Sequence, residues 1–167
     1  MRLFAHRFLP MVATAALALT APSAFAQKAI VVVRHAERAD QSQDSALSAE
    51  GTTRAGLLAR TLAALEVKAV YVTQYQRTAL TAAPLLKALD LKPIQVHSDA
   101  TPELVERMKK EHPADVVLTV GHSNSVPRIL KLLGVTEAIT LGDSDYDNLF
   151  IVVPQASGSP TLLRLKF

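Results

Sequence analysis

Short runs of β-branched residues alternate with stretches of helical periodicity along most of the chain. This alternation is typical of βαβ units, in which parallel strands form a sheet and the connecting helices cover its two faces. The last two apolar runs, 148–153 and 161–167, are separated by a short loop rich in Pro, Gly and Ser, which favours a hairpin. The sequence therefore predicts an α/β fold, a three-layer αβα sandwich whose mostly parallel sheet has an antiparallel C-terminal edge.

The individual elements follow from periodicity and from capping residues. Ser48 is the expected N-cap of the first helix, and Thr101, followed by Pro102, is the expected N-cap of the third. Gly134 is expected to close the fourth helix. The buried stripe of the second helix is expected to contain Ala79, Ala83, Leu86 and Leu89. The predicted strands before the hairpin are 29–33, 69–73, 93–97 and 115–120, and the predicted helices are 48–65, 76–89, 101–112 and one from 125 onward.

The first 26 residues have the three-part pattern of a secretory signal peptide. Arg2 and Arg7 supply a basic start, 8–19 is mostly apolar, and 24–26, Ala-Phe-Ala, has the small-x-small pattern of a cleavage site. The apolar stretch is short for a transmembrane helix, which needs about 20 residues. We therefore expect an exported protein, periplasmic or secreted, in which 27–167 forms one domain without stable membrane insertion.

Charge and cysteine content narrow the chemistry of the mature domain. The chain has 18 basic and 15 acidic residues, and the predicted signal peptide removes two arginines and no acid, which leaves 16 against 15. A nearly neutral domain gives no electrostatic argument for binding nucleic acid. Because the chain contains no cysteine, disulfides, thiolate catalysis and Cys-ligated metals are excluded.

Polar side chains follow three of the predicted strands where each strand ends. Arg34 and His35 come directly after the first strand, Arg77 comes shortly after the second, and His122 follows the fourth. In open α/β sheets, ligands bind outside the carboxyl ends of the strands, where following turns favour anions. A guanidinium fork suits phosphoryl oxygens, and an imidazole kept neutral by nearby cations is a suitable nucleophile. The sequence therefore predicts a phosphoryl-transfer site at this edge.

Five segments, in the same order along the chain, are similar to the motifs of the histidine phosphatase superfamily, the phosphoglycerate-mutase-like group. The segments are 33–37 (VRHAE), 47–55 (LSAEGTTRA), 71–82, 121–124 (GHSN) and 145–149 (DYDNL). The resemblance implies a phosphoric monoester hydrolase in which His35 accepts the phosphoryl group as a phosphohistidine that water then hydrolyses. It implies that Arg34, Arg77 and His122 hold the phosphoryl oxygens, with no metal and no cofactor.

Other residues of the resemblance have roles that the sequence leaves open. The hydroxyl of Ser48 is expected to cap its helix first and to contact phosphate second. Ser123 is able to donate either to the helix start or to the ligand. For the general acid, Glu103 fits the family position best and Asp99 comes second, although Glu103 also lies in a first helical turn, where the helix dipole stabilises an acid without any catalytic role.

Three positions depart from the usual pattern of this family. Ala36 replaces the usual Gly after the histidine, and Gln41 stands where many members have Asn. Arg54 replaces a common Gln and is expected to lie on the helix surface. We expect the turn at Ala36 to differ slightly, since alanine needs no positive φ, and the missing Asn to change that part of the phosphate pocket.

Two alternatives from other functional classes remain to be compared. The segment 121–125 is close to the nucleophile elbow of α/β-hydrolases, but that fold needs a histidine downstream of the serine, and none follows His122. A non-catalytic, exported phosphate-binding domain of the same fold is the second alternative.

Mutase activity is less expected than hydrolysis, since no loop is long enough to build a large lid over the substrate. An open pocket admits a phosphorylated small molecule, glycan, lipid headgroup or peptide.

Overall fold

The computed structural model describes residues 28–167, so the predicted signal peptide and its cleavage site lie outside the described residues. The strands are β1 (Ala29–Arg34), β2 (Val67–Thr73), β3 (Ile94–Val96), β4 (Val116–Gly121), β5 (Asn148–Val153) and β6 (Thr161–Lys166). The helices are α1 (Ala49–Leu62), α2 (Gln76–Leu89), α3 (Thr101–Glu111) and α4 (Ser125–Leu132). Among these helices, none is long and apolar enough to cross a lipid bilayer.

The strands form one six-stranded sheet in the order β3-β2-β4-β1-β5-β6. The first four strands in sequence run parallel, whereas β5 pairs antiparallel with β1 and β6 pairs antiparallel with β5. In the central β1–β4 pair, Arg34 lies opposite Gly121. Because this register aligns the two strand ends, the residues that follow them leave the sheet side by side.

Two hydrophobic clusters, one on each face of the sheet, make the fold a three-layer sandwich. One cluster joins the sheet to α1 and α2 through Leu58 and Leu85, and the other joins it to α3 and α4 through Met108 and Ile129. All four of these side chains are fully buried. The predicted α/β fold with a mostly parallel sheet and antiparallel C-terminal strands is confirmed.

The predicted buried stripe of α2 was wrong in part. Ala83 is exposed, whereas Thr78, Thr81 and Leu85 are buried. The apolar spacing overlooked the threonines because their hydroxyls are polar, but both hydroxyls bond to the backbone. Thr81 Oγ1 donates to the Arg77 carbonyl at 2.7 Å and accepts from the Ala36 N–H at 2.9 Å. Thr81 thus connects α2 to the loop after β1, whereas Thr78 bonds to Thr73 at the end of β2.

The starts and ends of the other helices largely follow the sequence signals. Ser48 Oγ accepts from the Gly51 N–H at 3.0 Å as the N-cap of α1, and Gly134 follows α4 with a φ of +95°. The third helix differs, because Ala100 is its N-cap and Thr101 is its first residue, with a buried side chain. Pro102 occupies the first turn as expected.

The start of α1 lies directly against the loop that follows β1. The Ser48 N–H donates to the Glu37 carbonyl at 3.0 Å. A Cβ atom added at Gly51 would lie 2.3 Å from that same carbonyl oxygen. The close approach of the two backbones therefore requires glycine at this position and fixes the loop that carries His35.

We expect Gly51→Ala to destabilise the domain by about 1 to 3 kcal/mol, because the added methyl group must push backbone rather than a flexible side chain. Urea unfolding followed by circular dichroism measures the change. Gly56→Ala is the matched control, because a Cβ at that half-buried helical position meets nothing within 4 Å. Equal stability of the two variants would contradict the proposed close approach.

Candidate active site

The two imidazoles predicted to share a site lie next to each other above the β1–β4 pair. The His35 N–H donates to the Gly121 carbonyl at 2.9 Å and so extends the parallel ladder by one bond. The ring centroids of His35 and His122 are 5.2 Å apart, in an edge-to-face arrangement. Both side chains are buried, with 4% and 8% exposure. Residues 87 positions apart in sequence are therefore brought together by strand register.

The protonation pattern of His35 is fixed by a single backbone contact. Its Nδ1 lies 2.8 Å from the Ala36 carbonyl oxygen, which can only accept. Nδ1 must therefore carry the hydrogen and donate it, which leaves the lone pair on Nε2. Ala36 does not adopt the left-handed backbone conformation, so alanine fits where the family usually has glycine.

The guanidinium groups of Arg34 and Arg77 are each held by backbone carbonyl groups and by a tyrosine ring. Arg34 Nη1 donates to the carbonyl oxygens of Gly142 and Asp143 at 2.7 and 3.1 Å. Arg77 Nη1 donates to the Gln43 carbonyl at 2.8 Å. Each guanidinium also lies over a tyrosine ring, Arg34 over Tyr146 at 4.1 Å and Arg77 over Tyr75 at 4.2 Å. Stacking and carbonyl contacts offset part of the cost of burying each cation.

A chain of threonine hydroxyls holds His122 from behind. His122 Nε2 is 3.0 Å from Thr73 Oγ1, which in turn is 3.1 Å from Thr78 Oγ1. On its other side, His122 Nδ1 is 3.5 Å from Arg77 Nη2. Since an arginine can only donate, His122 is arranged with Nε2–H directed to Thr73 and a lone pair on Nδ1.

Burial and neighbouring cations keep both imidazoles neutral. Burial, followed by smaller contributions from His122, Arg77 and Arg34, lowers the pKa of His35 to about 3 against the opposing hydrogen bond to Ala36. Burial, Arg77 and Arg34 together lower the pKa of His122 to about 4. At neutral pH the site therefore contains unprotonated imidazoles beside permanently charged guanidinium groups.

These side chains line one open cavity of about 470 Å³. The residues that line it are Arg34, His35, Arg38, Tyr75, Arg77, Ser98, His122, Ser123, Asn124 and Asp143. Arg38 brings a third guanidinium group, and its charge, after burial, is the largest influence lowering the pKa of Arg77. Three mutually repelling cations around one cavity favour occupation by an anion.

Sequence reasoning missed Arg38, Tyr75 and Asp143 as cavity residues. Arg38 follows His35 by only three residues, so its position in the loop after β1 was a usable signal. Its Nη2 donates to Gln41 Oε1, which gives the glutamine at the atypical position a role in holding this cation. Asp143 gave no signal, because it reaches the cavity through the tertiary packing of its loop.

Known proteins resemble this chain in sequence and in fold. Residues 30–101 match the model of the histidine phosphatase superfamily, branch 1. The chain contains a histidine phosphatase superfamily domain. No curated protein has significant sequence similarity to the chain.

Solved structures show the same fold at low sequence identity. The protein histidine phosphatase SixA, complexed with tungstate, is 18% identical with a TM-score of 0.67, over 83% of this chain and 96% of that chain. A mycobacterial glucosyl-3-phosphoglycerate phosphatase is 14% identical with a TM-score of 0.64, over 84% and 98%. A putative α-ribazole-5′-phosphate phosphatase from Escherichia coli is 13% identical with a TM-score of 0.68, over 84% and 96%.

Three residues expected at the site of this histidine phosphatase domain do not line the cavity. Glu103 lies exposed in the first turn of α3, on the side of Arg107, whose pKa it helps to raise after Glu111. Asp99 is exposed and forms an ion pair with His97. The Ser48 hydroxyl is used as the α1 cap. In the turn between β3 and α3, Ser98 lines the cavity, whereas Asp99 does not, and Glu103 lies beyond it in α3.

The expectation that Arg54 lies on the helix surface was wrong. Arg54 is half-buried, and its Nε donates to both carboxylate oxygens of Glu37, at 2.7 and 3.0 Å. Its Nη1 donates to the Phe167 carbonyl at 2.9 Å. Arg54 therefore ties the loop after β1 to the end of the chain, and it does so from outside the cavity.

The two neutral imidazoles predict how stability depends on pH. Their pKa values in the folded domain lie below the ordinary value of 6.5, so the unfolded chain binds protons that the folded domain excludes. The free energy of unfolding should therefore fall as the pH is lowered from about 6.5 towards 4, by up to about 1.4 kcal/mol per pH unit for each histidine.

Urea unfolding at a series of pH values measures this slope. His35→Gln and His122→Gln should each flatten it, because each removes one group that only the unfolded chain protonates. Carboxylates contribute equally to wild type and variants, so the difference between the curves isolates the imidazoles. Parallel curves for wild type and both variants would contradict neutral burial.

Proposed function

We propose that the domain is a phosphatase that hydrolyses phosphomonoesters through a phosphohistidine formed on Nε2 of His35. The observation that carries the proposal is the contact between His35 Nδ1 and the Ala36 carbonyl, at 2.8 Å. It commits one ring nitrogen to the backbone and leaves the other with a lone pair, in a cavity lined by three guanidinium groups. Phosphatase structures with the same fold support the reaction class.

The cations would bind the substrate and stabilise charge as the phosphoryl group is transferred. Arg34, Arg77 and Arg38 would bind the phosphoryl oxygens, with the Ser123 hydroxyl as a further donor. When the anion binds, Arg77 turns towards it and away from His122 Nδ1. The ring hydrogen of His122 can then move from Nε2 to Nδ1, so that Nδ1 donates to the anion. In this tautomer, His122 Nε2 accepts a hydrogen bond from the Thr73 hydroxyl. Donors that are already oriented do not need to reorganise during the reaction, which is the main source of rate acceleration at such sites.

The reaction proceeds in two displacements. In the first, the His35 Nε2 lone pair attacks phosphorus, the phosphorus–oxygen ester bond breaks, and the leaving oxygen takes a proton. In the second, water attacks phosphorus and gives a proton back to the acid, the phosphorus–nitrogen bond breaks, and inorganic phosphate leaves with the lone pair restored on Nε2. Division into two steps lowers the barrier of each, because the same cations stabilise both transition states.

Asp143 is a better placed source of the leaving-group proton than Glu103. Asp143 is the acidic residue among those that line the cavity. Its backbone carbonyl oxygen lies 3.1 Å from Arg34 Nη1. All three carboxylic acids are exposed, but Glu103 and Asp99 do not line the cavity. We therefore assign the general acid role to Asp143 and keep Glu103, the residue favoured by the family position, as the alternative to be tested.

The cellular context is also a proposal. We propose that residues 1–26 direct export and are removed, so that the domain acts in the periplasm or outside the cell on a phosphorylated small molecule, glycan, lipid headgroup or peptide. The pattern that supports this is the basic, apolar and small-x-small order of the N-terminal segment. A non-catalytic phosphate-binding domain is the competing function, and it differs by the absence of turnover.

We expect His35→Ala to abolish phosphate release from 4-nitrophenyl phosphate, and Arg34→Ala or Arg77→Ala to lower turnover by about 10²-fold or more, as for loss of one oxyanion donor. Rapid quenching with labelled substrate should trap a phosphoenzyme that is labile to acid and stable to base. His112→Asn is the control, since this imidazole lies at the end of α3 and bonds to Asp115.

Three results would contradict the proposed mechanism. These are a label that survives in His35→Ala, a label that is stable to acid, or phosphate binding by the wild type without any turnover. Loss of activity on adding a chelator would point instead to a metal-dependent hydrolase. Circular dichroism of each variant separates loss of rate from loss of fold.

The assignment of the acid is tested with substrates of different leaving groups. We expect Asp143→Asn to lower turnover of an alkyl phosphate by about 10² to 10⁴-fold and to change 4-nitrophenyl phosphate hydrolysis little, because nitrophenolate needs no proton. Glu103→Gln should leave both rates unchanged. The opposite pattern, with loss of the alkyl phosphate rate only in Glu103→Gln, would return the role to Glu103.

A further inference from the structure

A second cavity adjoins the proposed catalytic cavity along α4. It has a volume of about 770 Å³ and lies between α4 and the segment 134–139 that follows it. Asn124, the residue that precedes α4, lines both cavities. As N-cap of α4, Asn124 makes no capping hydrogen bond with its side chain. We name this second cavity, defined by Asn124, Arg128, Lys131 and the segment 134–139, the α4 groove.

The polar residues of the α4 groove form a stripe that leads away from the catalytic cavity. Asn124, Arg128 and Lys131 are separated by four and three residues, so they share one face of the helix. At 1.5 Å per residue, Arg128 lies about 6 Å and Lys131 about 10 Å along the helix from Asn124. A molecule bound at His35 can therefore extend along this stripe.

The stripe carries positive charge that the folded domain does not neutralise. Arg128 and Lys131 are exposed, and neither forms an ion pair with another residue between 28 and 167. Glu137 is the acidic residue that lines the groove, so the cations outnumber it. Asp99 is close enough to feel the charge of Arg128, but its carboxylate is already paired with His97.

We propose that the α4 groove binds a second anionic group of the substrate, carried by the leaving group. This inference rests on the proposed phosphatase function and defines its substrate class. The class is a phosphomonoester whose alcohol portion bears a carboxylate or a further phosphate, which would lie about 6 to 10 Å beyond Asn124 along α4. Arg128 and Lys131 bind the distant anion, and Asn124 contacts the chain between the two ends.

The geometry favours a second anion over an apolar tail. An apolar chain in this groove would cover two cations without giving them a partner, which is unfavourable. An anion in the same place gains charge-assisted hydrogen bonds from both. Because the cations are exposed, their effect should be visible mainly in substrate binding and should weaken as salt is added.

Three substrates with the same six-carbon chain test the proposal, with release of inorganic phosphate as the readout. Hexyl phosphate has no second anion, 6-phosphonooxyhexanoate has a carboxylate, and hexane-1,6-diol bisphosphate has a phosphate. At constant, near-physiological ionic strength we expect kcat/KM for one or both substrates with a second anionic group to exceed that for hexyl phosphate by about tenfold or more. The difference should lie chiefly in KM. Two equivalent phosphates explain only a twofold gain for the bisphosphate, and the carboxylate arm distinguishes which anion the groove prefers.

The double variant Arg128→Ala, Lys131→Ala should remove this preference and leave hexyl phosphate hydrolysis unchanged. Lys87→Ala, Lys92→Ala is the control, since it lowers the net charge by the same amount at exposed positions outside the groove. The control should keep the preference.

The outcomes separate the two proposals. Equal kcat/KM for all three substrates in the wild type, or a preference that survives in the double variant, would overturn the groove assignment and leave the phosphatase function intact. If the control variant loses the preference as fully as the double variant does, the preference arises from net charge, and this result would also overturn the groove assignment. No phosphate release from any substrate, including 4-nitrophenyl phosphate, would overturn both proposals.

Discussion

The parallel pairing of β1 with β4 is the interaction on which the rest of the structure depends. Its register places Arg34 opposite Gly121, so the next residues, His35 and His122, leave the sheet together with ring centroids 5.2 Å apart. A shift of two residues in this register would move the imidazoles apart by nearly 7 Å. The ladder bond from the His35 N–H to the Gly121 carbonyl and the valine-rich interior of both strands hold the register in place.

The cavity above this pair of strands brings three guanidinium groups close together, and their mutual repulsion does not favour folding. Burial lowers the pKa of Arg77, and the nearby charges of Arg38 and Arg34 lower it further, while both histidines stay neutral. Tyrosine rings and backbone carbonyls offset part of this cost. The remaining imbalance is relieved when an anion enters. This arrangement supports the proposal that the cavity binds a phosphoryl group, and the proposed role of the α4 groove extends the same preference for anions along the surface.

Much of the fold was predictable because local signals and tertiary structure agree. Helix α2 has the bounds that its periodicity predicts, Ser48 caps α1, and the hairpin at the C-terminal edge forms as its loop composition indicates. Where local signals failed, a tertiary contact was decisive. Buried threonines take part of the expected apolar stripe of α2, because the loop after β1 supplies a hydrogen-bond partner for Thr81. Arg54 does not lie on the helix surface, because Glu37 and Phe167 accept its hydrogen bonds.

For the site, the sequence by itself determined which residues stand at the ends of strands, and hence that Arg34, His35, Arg77 and His122 gather at one edge of a parallel sheet. Strand order and chain direction are sufficient for that conclusion. Only the tertiary structure decided that Arg38 and Asp143 line the cavity, that Glu103 does not, and that the α4 groove adjoins it. The physical reason is that loops take their conformation from side chains distant in sequence, whereas the end of a strand is fixed by its own hydrogen-bonded ladder.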